Sequence, residues 1–348
     1  MFEDLGFETL TAPQAAVWLG LILGLAFGAL AQITRFCLRR AVVGEPADRK
    51  SAAAIWLTAL AVAVVGTQLS IALGWIAFDE HRFFVADMPI LAILVGGALF
   101  GAGMVLTRGC VSRLTVLFAS GNLRALTVLL IFAVVAQSTL KGVLSPIRTS
   151  LGSITTSIEP TLPGAPALWG AIAVVIAALA IFRARIKPLH VIAAIAIGAL
   201  VPLGWAGTGY VLFDDFDPVA LQSLSFTAPF ADSLFWTLAS TAIPANFGVG
   251  LIGGTLTGAF ALAVIRRDFT LTSFEGPAQT GRYIAGATMM GLGGVLAGGC
   301  TVGAGLAGIP TLSVAALIAL AAIVLGALAM DRVLKLRAMP QGQAIPAE

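Results

Sequence analysis

Gly96-Gly97-Ala98-Leu99-Phe100-Gly101-Ala102-Gly103-Met104-Val105-Leu106-Thr107-Arg108-Gly109-Cys110 returns 190 positions later as Gly286-Ala287-Thr288-Met289-Met290-Gly291-Leu292-Gly293-Gly294-Val295-Leu296-Ala297-Gly298-Gly299-Cys300. Seven of the fifteen aligned residues are identical: four glycines, a Val-Leu pair and the final cysteine. Each copy reads as a tightly packed apolar helix that breaks at Gly-Cys. An internal repeat of this kind implies a fold built from two related halves. Nearer the N-terminus, Gly28 to Cys37 keeps the nine-residue step of Gly101 to Cys110 and Gly291 to Cys300. All 3 cysteines of the chain end such a stretch.

The composition around these stretches is that of a membrane protein. Only 11% of the 348 residues are charged, against about 25% in soluble domains, and the mean hydropathy is +0.99. A helical span needs roughly 20 apolar residues, so the expected fold is an all-α integral membrane bundle. The 39 glycines fit helices that approach closely through small residues. The lipid bilayer, and no nucleic acid, is the expected surrounding partner. The cysteines have neither a disulfide nor a zinc spacing, so no metal site is expected. No GxxxxGK[ST] motif occurs, which excludes P-loop nucleotide hydrolysis. His81 and His190 fall in or near loops, are too few for a haem or metal relay, and read as solvated. No cofactor is expected. The acidic start of the chain lacks a basic n-region, so no cleaved signal peptide is expected.

The whole chain, 1–348, reads as one polytopic domain with about nine spans: 14–34, 52–76, 88–106, 124–143, 166–182, 188–206, 247–265, 282–298 and 311–330. Several are interrupted by short broken or re-entrant pieces. The tail 339–348 reads as disordered. With the N-terminus outside and the C-terminus in the cytoplasm, all basic residues but Arg82, Lys141 and Arg148 fall on inner segments. That asymmetry is the positive-inside signature. It makes the span before Cys110 run inward and the span before Cys300 run outward. The copies, about 88–143 and 282–330, are then inverted repeats, a plan that places a binding site between broken helices. The stretch Gly250-Leu251-Ile252…Gly254…Gly258-Ala259 also matches Gly20-Leu21-Ile22…Gly24…Gly28-Ala29, although both spans run inward. We read that match as shared small-residue packing. Residues 144–165 and 207–246 read as long outer loops. The second carries Asp214, Asp215, Asp217 and Asp232.

The Gly-Cys breaks are the chemical candidates. A buried lone cysteine is usually a small hydrophobe, but here both copies keep it at the break. Gly109 and Gly299 let the backbone turn there, and a half-helix start leaves N–H groups free for an anion. Thr301 follows the second break. A thiol is a weak, polarizable donor and suits an anion with a soft terminal atom, such as a sulphur species. Two readings stand for Cys37, in Thr34-Arg35-Phe36-Cys37-Leu38-Arg39-Arg40: an interfacial anchor, or the inner end of a line of thiols. Arg108 either snorkels to the inner surface or senses the anion. Lys141, four residues after Gln137 on the same face, either attracts the anion or reaches outer headgroups.

Arg35-Phe36-Cys37, Thr107-Arg108-Gly109-Cys110 and Gly298-Gly299-Cys300-Thr301-Val302-Gly303 together resemble the three cysteine motifs of the YeeE/YedE family of sulphur-transport membrane proteins. The resemblance runs from the first span to the last. It implies a narrow, hourglass-like transporter, not an enzyme, in the bacterial cytoplasmic (inner) membrane. It implies inward movement of thiosulfate, or a related sulphur anion, with Cys37, Cys110 and Cys300 contacting the ion in succession. Relatives linked to selenium metabolism keep a selenium compound open as substrate. Relatives that act beside a small cytoplasmic TusA-like sulphur carrier imply such a partner. The competing reading from another class is a membrane sulphurtransferase that forms a cysteine persulfide. Neutral thiols are poor nucleophiles, which favours contact over covalent transfer.

Overall fold

The computed structural model describes residues 10–338 apart from 80, 83, 85, 86 and 215. The tail expected to be disordered, 339–348, and Asp215 lie outside the described residues. The protein is an all-α integral membrane protein. Nine segments among the described residues are long and apolar enough to cross a membrane, from Ala12–Val43 to Val314–Leu336. They are built from α1 (Ala12–Thr34), α2 (Leu38–Val43), α3 (Pro46–Ala72), α4 (Ile90–Leu106), α5 (Val111–Ala119), α6 (Leu123–Lys141), α8 (Pro166–Ala184), α9 (Pro188–Ala206), α11 (Phe247–Ile265), α12 (Pro277–Leu296) and α13 (Val314–Ala338). Two shorter helices, α7 (Ser145–Gly152) and α10 (Thr227–Ala239), lie between spans. A two-residue antiparallel pairing joins Asp87 and Met88 to Ser157 and Thr156.

Local signals explain where the helices start and stop. Proline occupies the first turn of α1, α3, α8, α9 and α12, where its missing N–H costs nothing. Thr11 and Gln14 form a capping box at α1, and Asn122 and Asn246 cap α6 and α11. Inside the bundle, the hydroxyls of Thr58, Thr139 and Thr255 each donate 2.7 Å to the carbonyl four residues back. That leaves none of these three hydroxyls with an open donor in apolar surroundings.

The span count and most centres agree with the sequence reading. α10 does not, because it lies within 207–246, read as loop. Pro229, Asp232 and Ser233 interrupt its apolar pattern, and its 13 residues are too few for a span. It packs against α6 and α11 instead.

Two close helix pairs fix the bundle. Gly20, Gly24 and Gly28 of α1 face Phe247, Leu251 and Thr255 of α11 in rising order, while Gly250, Gly254 and Gly258 face Val17, Leu21 and Leu25. The helices therefore run parallel, each lending its glycines to the other's backbone. This accounts for the match between residues 20–29 and 250–259. A Cβ on Gly24 would stand 2.3 Å from the Leu251 carbonyl oxygen, and one on Gly254 2.1 Å from that of Leu21. The two copies of the quoted repeat, α4 and α12, pack on each other antiparallel: Gly96 meets Gly293 and Ala297, and Gly103 meets Gly286 and Met290.

Overpacking a core costs about 1–3 kcal/mol where side chains can yield. At Gly254 the obstacle is backbone. Gly254→Val is therefore expected to lower the melting temperature of the detergent-purified protein markedly, read by fluorescence-detected size exclusion. An unchanged melting profile would mean that α1 and α11 do not pack this closely.

Candidate functional site

One backbone device stands at all three cysteines, and once more without a thiol at Arg185 (φ 48°) and Lys187 between α8 and α9. α1 ends on Arg35 in the left-handed region (φ 51°), and two residues later Cys37 heads α2. α4 is followed by Arg108 (φ 60°), and two residues later Cys110 heads α5. α12 is followed by Gly298 (φ 72°), and two residues later Cys300 heads a π-helical turn, Thr301–Gly308. The left-handed residue stops the first helix. The extended cysteine then starts the next segment in a new direction. Arg267 (φ 56°) ends α11 in the same conformation, but two residues on it meets Phe269 and no thiol. Gly299 has no room for a side chain, since a Cβ there would lie 2.8 Å from the Ala304 nitrogen. Gly109 is less confined: its nearest obstacle is Leu114, at 3.3 Å.

The three breaks converge. All three thiols are free and no more than 3% exposed. The Cys37 and Cys110 sulphurs are 4.0 Å apart, about twice a disulfide bond length, so they touch as separate groups. The backbone N–H groups of Arg40 and Cys110 face the Cys37 sulphur. Cys110 lies 3.3 Å from Ser112 Oγ, with the Thr301 side chain as a further neighbour. Gly303 N–H donates 3.4 Å to Cys300 Sγ. The arrangement thus runs from Cys300 through Thr301 to Cys110 and Cys37. The thiols in contact are Cys37 and Cys110, because α1 and α4 break beside each other.

A cavity of about 1500 Å³ opens toward this line. Among its lining residues are Phe78, His81, Arg82, Trp205, Ser225 and Gly303. Gly303 is the donor to Cys300, so the cavity reaches within one residue of that thiol. Arg82 is open to the cavity and within Coulombic reach of Cys300. Surrounding protein pulls its guanidinium below the ordinary value, and the Cys300 sulphur acts in the opposite sense. Sequence reasoning counted Arg82 only as one of three outer cations. The signal available was its place among Phe78, His81 and Phe84, an aromatic run unusual for a solvated loop.

His81 is packed, not solvated. Its ring stands edge-to-face on Trp205 at 5.3 Å and on Phe78 at 5.7 Å. Burial, and secondarily the charge of Arg82, lower its pKa from 6.5 to about 4. The folded state therefore holds His81 neutral where the unfolded chain would take up a proton. This stabilisation is complete above pH 6.5 and is lost as pH falls toward 4. The melting temperature should decline over that window, and His81→Phe should flatten the decline. An equal slope in the variant would assign it to other groups.

The other candidates separate. Arg108 is exposed, and its backbone closes α4. The guanidinium within Coulombic reach of Cys37 is that of Arg113, which the sequence marks only as one of the basic residues on inner segments. Lys141 is exposed at the end of α6 and lies within Coulombic reach of Asp232, a cavity-lining carboxyl. Burial raises the pKa of Asp232, against its Asn246 hydrogen bond and Lys141.

The family model described as sulphur transport matches residues 33–329, which take in all three cysteine breaks. The chain belongs to that family. Two curated relatives carry the name thiosulfate transporter TsuA. The protein of Escherichia coli strain K12 is 27% identical over 82% of this chain and 86% of its own length. That of Spirochaeta thermophila is 26% identical over 89% of this chain and 96% of its own. Family membership and the apolar spans make this a multi-pass membrane protein of sulphur transport.

Proposed function

We propose that the protein takes up thiosulfate, or a closely related sulphur-containing anion, by passing it along the three thiols. The observation that carries this reading is the succession leading from the cavity: Gly303 donates to Cys300, Thr301, next to Cys300 in the chain, neighbours Cys110, and Cys110 meets Cys37 at 4.0 Å. Arg82 draws the anion into the cavity. Cys300, Cys110 and Cys37 then offer S–H groups in turn to its terminal sulphur, with Thr301 between the first two. Each contact is non-covalent and weak, so the ion is held without being trapped. Gly109 and Gly299 shape the breaks. The names of the two relatives support the substrate.

Uptake of labelled thiosulfate into proteoliposomes tests the reading. Label that arrives intact supports it; absence of uptake by folded protein refutes it. Intact mass spectrometry after exposure would show an added sulphur atom only if a persulfide forms, the outcome expected of a sulphurtransferase.

The same reading places the cavity outside and the Arg35–Arg40 end in the cytoplasm, with α4 and α12 as counterparts in inverted repeats, 88–143 and 282–330. The antiparallel packing of the two copies supports it. So does the clustering of basic junctions, where the Asn122–Thr272 bridge and the 3.3 Å Arg124–Glu275 ion pair join the α5–α6 and α11–α12 turns. A reporter active only in the cytoplasm should work after Glu348 and stay silent before Met1. The opposite result would reverse the orientation.

A further inference from the structure

Arg113 lies three residues beyond Cys110 on α5, and the path described so far gives it no task. Its guanidinium is within Coulombic reach of Cys37 and Cys110 on one side and of Arg40 and Arg35 on the other. Its Nη1 is sealed from solvent and has no hydrogen-bond partner. Arg40, by contrast, is satisfied: Nη2 pairs with Asp48 at 3.1 Å, and Nη1 donates 3.0 Å to the Arg35 carbonyl. No ion pair to Arg113 occurs among the described residues. A partly buried guanidinium whose sealed Nη1 lacks a partner, set beside two further cations, is unfavourable unless an anion occupies the gap.

The position is equally specific. The cavity lies at the C-terminal end of α3, beside Ile71 and Gly74. Arg35 and Arg40 precede the N-terminal end of the same helix. Its 27 residues make it about 40 Å long at 1.5 Å per residue. Arg113 therefore sits on the side of the Cys37–Cys110 pair away from the cavity.

We propose that Arg113, flanked by Arg35 and Arg40, forms a second anion subsite that receives the small divalent oxyanion as it leaves Cys37. This rests on the transport reading of the thiols. The two kinds of group divide the ion between them. A thiol suits the soft terminal sulphur, while the planar guanidinium fork suits a pair of oxygens. Sulphate, which has the oxygens and lacks the terminal sulphur, should therefore bind at Arg113.

The test uses the purified full chain and sulphate as probe, with binding read by calorimetry. In an Arg82→Gln background, which removes the cavity guanidinium, sulphate should still bind. Adding Arg113→Gln should weaken that binding about tenfold or more, the range for losing a hydrogen bond to a charged group. Arg113→Lys keeps the charge, loses the fork and should fall between, which covers failure of the glutamine variant to fold. Without ligand, Arg113→Gln should melt no lower than its parent, because a like-charge contact has gone. The subsite is overturned if sulphate fails to bind the Arg82→Gln parent, or if Arg113→Gln leaves affinity unchanged. A lowered melting temperature with unchanged affinity would likewise overturn it and make Arg113 structural. Because the readout is binding, a wild-type protein that binds sulphate but takes up no thiosulfate refutes the transport reading and leaves the subsite standing.

Discussion

Cys110→Ala and Cys300→Ala should each reduce thiosulfate uptake by at least one order of magnitude, with the protein still folded. Both thiols are buried to 1% exposure, so water cannot replace the lost donor. Removing a buried hydrogen bond to a charged partner costs about 1.5–3 kcal/mol, which is roughly ten- to hundredfold in rate at ~1.4 kcal/mol per decade. The penalty falls on passage itself, because each contact is one of a series and no parallel route exists in the proposed path. Cys110 carries the larger expectation. It touches Cys37, Ser112 and Thr301, so its loss breaks the series on both sides. Cys37→Ala should impair uptake less, since the next charge, Arg113, stands close behind it. Serine keeps a hydroxyl but is harder and less polarizable than the thiol, so Cys110→Ser should recover only part of the loss. Uptake at the wild-type rate by a folded variant lacking all three thiols would return these residues to the class of small apolar fillers.

How far this site was visible in the sequence depends on which forces placed each part. The helices and their packing were legible, because the Gly96–Cys110 and Gly286–Cys300 copies pair through the very glycines that define them. The Gly20–Gly28 match was legible as packing for the same reason. The cysteines stood out because a repeat preserves them at a break. Their mutual order was not legible. It depends on which breaks lie side by side, and that is set by the packing of α1, α4 and α12 and not by any local pattern. Nor were Arg82 and Arg113 legible as site residues. Each obeys the charge rule for a surface cation, and only three-dimensional neighbours distinguish it. Arg82 gains its position from a loop that folds over the cavity with Phe78 and His81 against Trp205. Arg113 gains its position from the turn at Cys110, which sets the first turn of α5 within Coulombic reach of Cys37 and Arg40. α10 was missed for the opposite reason: its polar residues break an apolar run that tertiary contacts nevertheless hold helical.

Arg82→Gln should lower the capture of thiosulfate by about tenfold at low substrate concentration, the lower part of the range for a charged contact. The argument begins from its surroundings. The guanidinium is reachable from the cavity and within Coulombic reach of Cys300. An anion beside it is therefore in the cavity whose wall includes Gly303, the donor to the first thiol. Its attraction acts across the cavity, and charges open to solvent are screened over about 8–10 Å at physiological salt. Uptake by the wild type should thus fall as ionic strength rises with an inert chloride salt, and Arg82→Gln should largely remove that dependence. Arg82→Lys should keep the salt dependence and lose part of the affinity, because a point charge replaces a fork. Lys141→Gln serves as the comparison. Lys141 faces the Asp232 carboxyl, which offsets its field, so its loss should change uptake less than twofold, within the roughly 0–1 kcal/mol typical of exposed charge pairs. If saturating thiosulfate restores Arg82→Gln to the wild-type maximum, the residue acts in capture. A depressed maximum with unchanged half-saturation would move its role from the cavity to the passage beyond Cys300, and equal behaviour of the two variants would remove Arg82 from the path.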